Sequence, residues 1–312
     1  MTSPLDLPDQ PLPSVGVVIP TRNRPVLLRR ALDSIAKQSY TGRVQVIVVH
    51  DGTPLDHSVA VSGARAVTVM ENSRSPGLAG ARNTGITALS TDYIAFCDDD
   101  DFWLPEKLTR QIQRALDGGE PELVTCAITV DYEGRRRVRL ARTNEVTHHH
   151  LIRSRMSMLH SSTLLFERNA LLTRIGLVNE EVPGSQNEDW DLLLRAAERR
   201  PIAHVDEPLA VIQWGRTSMF ARAWDTKVSS LNWMLEHHPA LLSDSRGVSR
   251  VYGQIAFGEA AQGNQKSAIA WARRSLRAYP LQWRAVAALP VAARVISAES
   301  VMNLLHRFGR GV

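Results

Sequence analysis

The chain has 312 residues, 44% apolar and 22% charged, with a formal net charge of +5. These values describe a soluble globular protein, long enough for one large domain or a domain with an appendage. The positive excess is scattered, almost wholly arginine and unaccompanied by any nucleic-acid-binding motif, so no nucleic-acid partner is expected.

Residues 1–14 form a proline-rich N-terminus without a basic region or apolar stretch, so no signal peptide is expected there. Residues 15–19 are a continuous apolar run ending at Pro20, as expected of a buried strand. Asn23 stands where it would cap a helix starting near Pro25, with Leu27, Leu28, Ala31, Leu32 and Ile35 on one face. Buried strands are predicted over 44–49 and 66–70, a helix over 80–89, and a further strand over 92–97. Pro105 opens a helix running to Leu116, and 123–130 reads as the next strand. Strands alternating with helices predict an α/β fold, a mostly parallel sheet flanked by helices, with ligands at the carboxyl ends of the strands. The cluster Arg135, Arg136, Arg137 and Arg139 reads as a solvated hairpin.

Three polar loops fall at those carboxyl ends: Pro20-Thr21-Arg22-Asn23, His50-Asp51-Gly52-Thr53 and the tetrad Asp98-Asp99-Asp100-Asp101. Topology therefore sets Thr21, Asp51 and the tetrad on one rim. Four adjacent carboxylates repel one another and lose hydration near a core, so the tetrad calls for a compensating cation or a set of donors. Oxygen ligands suit Mg²⁺ or Mn²⁺, ions that bridge phosphate oxygens. An isolated acidic run would read as a solvated turn, but the apolar strand before this one delivers it to a cleft.

Glu188 and Asp189 begin a helix whose buried face carries Leu192, Leu193 and Ala196, and a strand follows over 202–212. His148, His149 and His150 point in different directions and read as surface, while His160 faces an acceptor cleft or is an ordinary rim histidine. Residues 219–237, 248–262, 265–279 and 282–305 read as helices, and the alanine pattern across Gly263-Asn264 resembles a tetratricopeptide-like hairpin, which must pack on the rest of the chain or on a partner. Cys97 and Cys126 lie in apolar runs and make neither a disulfide framework nor a zinc pattern, which fits a reducing cytoplasm. No apolar stretch reaches the length of a membrane span. Arg284, Arg294, Arg307 and Arg310 flank apolar residues in the C-terminal helices; packing of these helices on the main domain is the expectation, with peripheral membrane contact or a homodimer through them as the alternatives, and the expected location is cytoplasmic.

Several segments together resemble family 2 glycosyltransferases, which have the GT-A fold. They are Val17-Val18-Ile19-Pro20-Thr21-Arg22-Asn23-Arg24, Val46-Ile47-Val48-Val49-His50-Asp51-Gly52-Thr53, Gly77 to Gly85, Phe96-Cys97-Asp98-Asp99-Asp100-Asp101 and Glu188-Asp189-Trp190-Asp191, with Ile175-Gly176 and Asn179-Glu180 before the last. Their order and spacing make the set specific. The resemblance implies a catalytic GT-A domain over 15–218, preceded by residues 1–14 and followed by a helical region over 219–312. It implies transfer of a sugar from a nucleoside diphosphate sugar, foremost a UDP-sugar, to an acceptor that is a saccharide, lipid-linked, peptide or small molecule. Inversion and a divalent Mn or Mg ion are implied as well.

By the same resemblance Asp51 contacts the nucleobase with Pro20, Thr21 and Arg22 beside it, and Arg82 faces the diphosphate. Asp98 contacts the ribose or the ion's shell and Asp99 the ribose, Asp98 and Asp100 hold the ion, Asp189 is the general base and Glu188 orients the acceptor or the base. Relatives carry a metal-binding histidine where Gly215 and Arg216 stand, so Arg216 is assigned to the diphosphate instead. Asp101 is expected to cap the helix near Leu104. Two other classes remain open. A sugar nucleotidyltransferase would carry a glycine-rich triphosphate loop after the first strand, unlike Pro20-Thr21-Arg22-Asn23-Arg24. A non-catalytic interaction protein would have little need of Asp51, Asp100 and Asp189.

Overall fold

A computed structural model of the chain describes residues 11–214 and 223–307. They divide into two compact units. The first comprises residues up to Thr147 with Ser157–Glu180 and Arg195–Trp214; the second comprises His148–Met156, Glu181–Leu194 and the C-terminal region.

The first unit is built on a sheet. In chain order its elements are β1 (Val15–Thr21), α1 (Pro25–Ala36), β2 (Val44–His50), β3 (Arg65–Glu71), α2 (Leu78–Ala88), β4 (Tyr93–Phe96), β5 (Phe102–Trp103), α3 (Lys107–Leu116), β6 (Leu123–Tyr132), β7 (Arg135–Arg139) and β8 (Glu145–Val146). After α4 (His148–Arg153), which belongs to the second unit, come β9 (Leu165–Glu167), α5 (Arg168–Ala170), α6 (Glu188–Arg199), which begins in the second unit, and β10 (Ile202–Trp214). The strand order is β3-β2-β1-β4-β9-β6-β10-β5, with β7 paired to β6 and β8 to β10.

β1 is buried at every position and pairs in parallel with β2 and β4, while β2 pairs in parallel with β3. Burial on both faces is what makes these strands read as unbroken apolar runs. Pro20 is tolerated inside β1 because the pairing with β4 ends at Val18↔Phe96, before the missing N–H. One face is filled by Leu28, Ala31 and Ile35 of α1 with Leu108 and Ile112 of α3, against Val15, Val17, Ile19, Val46 and Val48. α2 lies close on β1: a Cβ on Gly85 would stand 2.4 Å from Val18 Cγ1.

The sheet is more mixed than the alternation of elements predicts. β9 runs antiparallel between β4 and β6, and β10 resumes parallel to β6. The start of α1 also departs from expectation. Asn23 takes a left-handed φ of 56°, a conformation asparagine tolerates, and Arg24 is the N-cap, with no side-chain cap bond.

The second unit is helical: α4, the first turns of α6, then α7 (Trp224–His237), α8 (Ser245–Ala261), α9 (Gln265–Ala278), α10 (Trp283–Ala292) and α11 (Ala298–Arg307). Ala256, Phe257 and Ala260 of α8 form one core with Ala268 and Ala272 of α9 and Ala285, Ala288 and Val291 of α10. The predicted helical stretch 282–305 is two helices, separated where Arg294 takes a left-handed φ of 59°. Among the described residues no helix is long and apolar enough to cross a membrane.

Candidate active site

In-register pairing aligns the ends of the first unit's central strands. Thr21 pairs with His50, and the Asp51 N–H donates to the Thr21 carbonyl at 3.0 Å. The loops after β1, β2 and β4 therefore share one edge, as the topology predicts.

Asp51 is buried and hydrogen-bonded through both oxygens. Both its oxygens accept from the Gly77 N–H at 3.1 Å, and Oδ1 accepts from Asn72 Nδ2 at 2.8 Å. Gly77 is the N-cap of α2 at φ 116°, a conformation that favours glycine, so Asp51 ties the second loop to the start of this helix. Arg22, 59% exposed at its side chain, stands 3.8 Å from Asp51. Burial lowers the pKa of the neighbouring His50, although Asp56 opposes it. Glu180 pins the same region by accepting from Asn83 Nδ2 at 2.7 Å and the Ser75 N–H at 3.2 Å.

The four aspartates diverge. Asp98 accepts from Arg82 Nη2 at 2.6 Å and from Ser161 Oγ at 2.8 Å. Burial would raise its pKa, but the Arg82 guanidinium, His160 and Ser161 outweigh burial and hold it below the usual carboxylate range. Asp99 accepts from Thr21 Oγ1 at 2.8 Å, and Arg24 Nη1 bridges it to Asp100 at 3.1 and 2.8 Å. Burial raises Asp99 despite Thr21 and Arg24. Burial, then repulsion by Asp98 and Asp99, raises Asp100. Asp101 does not cap α3, whose N-cap is Glu106. It accepts from Ser162 Oγ at 2.6 Å and from the Gln213 N–H at 3.0 Å, and burial with repulsion from Asp98 and Asp100 pushes its pKa well up. Ser162 Oγ also accepts from the Asp98 N–H at 3.0 Å, so one hydroxyl links the first and last aspartates.

Burial thus holds three of the four carboxyls above their ordinary range, and repulsion from neighbouring aspartates adds to it at Asp100 and Asp101. Asp98, Asp101 and His160 each offer a ligand atom, and these atoms lie within 4.8 Å of one another. Carboxylate oxygens with an imidazole nitrogen suit a divalent ion such as Mn²⁺. Of the expected metal pair, Asp98 belongs to this group, while Asp100 is engaged by Arg24. Arg82, expected on the diphosphate, is itself buried and bonded to Asp98. Arg216 lies outside the described residues.

Asp189 and Glu188 stand in the second unit, both buried, in the first turn of α6. Asp189 accepts from Arg155 Nη2 at 2.6 and 2.5 Å and from the Trp190 N–H at 2.8 Å. Asp191 pairs with His238 Nε2 at 2.8 Å. Arg24, Asn72, Ser161, Ser162 and Arg155 escape sequence reasoning. Arg24 alone has a local signal, the asparagine before it that can take a left-handed turn; the others arrive through contacts distant in sequence.

The Glycosyl transferase family 2 profile matches residues 16–174. An uncharacterised glycosyltransferase of Rickettsia felis is 27% identical over 218 residues, covering 65% of this chain and 35% of its own, so the chain spans about a third of that relative's length. The structure of S. aureus TarS 1-349 in complex with UDP-GlcNAc superposes with a TM-score of 0.60 at 15% identity, over 90% of this chain and 91% of that one. The mannosyltransferase PcManGT of Pyrobaculum calidifontis, in complex with GDP-Man and Mn²⁺, gives 0.54 at 18% identity, over 97% and 82%. At such identities the likeness establishes the architecture alone, the GT-A fold.

Proposed function

Because the chain belongs to glycosyl transferase family 2, we propose that it moves a sugar from a nucleoside diphosphate donor, foremost a UDP-sugar, to an acceptor hydroxyl with inversion. The observation that carries this reading is the buried aspartate cluster at the end of β4, with the Asp98, Asp101 and His160 ligand atoms converging, on the same edge as Thr21 and Asp51. The nucleotide sugars bound by TarS and PcManGT, and the Mn²⁺ in the latter, support it.

In this reading Asp51, with Pro20, Thr21 and Arg22, holds the nucleobase. Asp99 holds the ribose. Arg82 and Arg216 serve the diphosphate. Asp98 would hold a divalent ion, with Asp100 as the family pattern implies or with Asp101 and His160, whose ligand atoms already converge. When bound, that ion supplies Lewis-acid stabilisation of the charge on the departing diphosphate. Asp189 accepts the acceptor's hydroxyl proton as the acceptor oxygen bonds to the anomeric carbon. The bond from that carbon to the diphosphate oxygen breaks, and its electron pair leaves with the nucleoside diphosphate. Glu188 orients the acceptor or the base. Arg155 has to share the Asp189 carboxylate as the hydroxyl arrives.

Thermal unfolding in the presence of nucleoside diphosphates and nucleotide sugars, with and without Mn²⁺, tests the donor side. UDP or a UDP-sugar with Mn²⁺ is expected to raise Tm, since a ligand that binds only the folded state stabilises it with occupancy. A rise confined to another base would reassign the donor, and no rise with any nucleotide would sink the reading.

A further inference from the structure

The helical unit gathers like charges at one place. Arg155 follows α4, Lys227 is in the first turn of α7, Arg250 is on α8 and Arg284 is in the first turn of α10. Arg250 and Lys227 are both depressed, the first to about 9 and the second to about 8. For each the cause is burial first, then repulsion from Arg284 and Arg155. Two of the Arg250 donors, Nε and Nη2, are shut off from solvent and have no hydrogen-bond partner among the described residues. Its guanidinium carbon lies 5.1 Å from the ring centroid of Trp190, the residue after Asp189. That indole is fully buried and fixed by its own N–H to the Leu151 carbonyl at 3.3 Å. Arg155 reaches Asp189 directly.

The helices are also built to stand close. A Cβ on Gly253 of α8 would come 3.0 Å from Arg284 Cβ and 3.2 Å from the Ala285 nitrogen, so glycine permits the approach that sets Arg250 near Arg284. Burying guanidinium donors unpaired, among other cations, is unfavourable twice over, in hydrogen bonding and in charge. An anion with several oxygens removes both penalties. A phosphate fits better than a carboxylate, because it carries more charge and more acceptor positions for guanidinium forks.

We propose that Arg155, Lys227, Arg250 and Arg284 form a binding site for a phosphate ester carried by the acceptor, beside the Asp189 that takes its hydroxyl proton. The assignment to the acceptor rests on Asp189 being the general base. It narrows the acceptor to molecules bearing a phosphate monoester or diester near the hydroxyl that is glycosylated.

Thermal unfolding of the full chain in phosphate-free buffer at matched ionic strength tests it, with glycerol 3-phosphate as probe and inorganic phosphate as the second arm. Millimolar glycerol 3-phosphate is expected to raise Tm by several degrees, more than inorganic phosphate does, and Arg250→Met is expected to lose that rise. Lys227→Met serves in the same assay should Arg250→Met fail to fold. Absence of a rise in the wild-type chain, or an equal rise in the variant, overturns the site. An inorganic-phosphate rise as large as that of the ester overturns the acceptor assignment. Wild-type Tm with UDP and Mn²⁺, measured alongside, tests the donor reading separately: a rise there without one for the ester sinks only the phosphate site.

Discussion

Arg24 holds the position that a cation would want. Its Nη1 bridges Asp99 and Asp100 at 3.1 and 2.8 Å, and these two ion pairs offset part of the burial and repulsion that keep both carboxyls high. A guanidinium on Asp100 competes with any divalent ion that uses that oxygen. Arg24→Met is therefore expected to tighten Mn²⁺ binding by roughly tenfold, about 1.4 kcal/mol, if Asp100 is a ligand. Titration of Mn²⁺ followed by electron paramagnetic resonance of the free ion reads this directly, and unchanged or weaker binding would assign the ion to Asp98, Asp101 and His160. Lys107 gives a second, independent test. It is fully buried, with Nζ 3.8 Å from the Trp103 ring centroid and 2.7 Å from Gln111 Oε1, and burial takes its pKa down to about 8. The unfolded chain, with an ordinary lysine near 10.4, binds more protons than the folded one between these values, so folding stability rises with pH across that window. Relative to Lys107→Met, which cancels the other titrating groups, the wild-type chain is expected to gain about 2 kcal/mol between pH 8 and pH 10. Urea unfolding at the two pH values checks it; a parallel dependence in both proteins would show that Lys107 titrates normally.

Elements differ in how openly their sequences declare them. β1 and β2 are buried almost throughout, so their apolar runs are long and continuous, and the polar loops after them are where strand direction puts them. β9 has three residues and runs against its neighbours; nothing local in Leu165–Glu167 encodes that reversal, which comes from pairing with β4 and β6. Asp101 is misread for a related reason. An aspartate a few residues before a helix resembles a cap, but its partners are Ser162 and Gln213, 61 and 112 residues away. Close approaches are equally silent. A Cβ on Gly80 of α2 would lie 2.0 Å from the Ser75 carbonyl oxygen, backbone that cannot rotate aside. Gly80→Ala is expected to cost about 1–3 kcal/mol through this overlap, despite the better helix propensity of alanine. A lower Tm with weaker nucleotide binding is the expected pattern, since α2 carries Arg82 and starts at the Gly77 N–H held by Asp51. A stability equal to that of the wild-type chain would mean that the loop before α2 yields freely.

At the scale of the whole molecule, the residues proposed for the donor and those proposed for the acceptor fall in different compact units. Thr21, Asp51, Arg82 and the aspartate tetrad are in the first; Glu188, Asp189 and the four clustered cations are in the second. The two halves of the proposed reaction should therefore separate on mutation. Asp189→Asn keeps the shape of the side chain and a hydrogen-bond acceptor for Arg155, but lacks the charge that accepts a proton. It is expected to leave the Mn²⁺-dependent Tm rise with UDP near that of the wild-type chain while transfer falls by about 10²–10⁴, the usual contribution of a positioned base. Asp98→Asn should instead lose the nucleotide-dependent rise along with transfer, because Asp98 is common to both proposed ligand sets. Steady-state kinetics separates the cases further: removal of a group that acts only in the transition state lowers kcat with donor KM little changed, whereas removal of a donor ligand raises KM as well. Retained turnover in Asp189→Asn would remove the base from the second unit, and the link between its cation cluster and the acceptor would go with it.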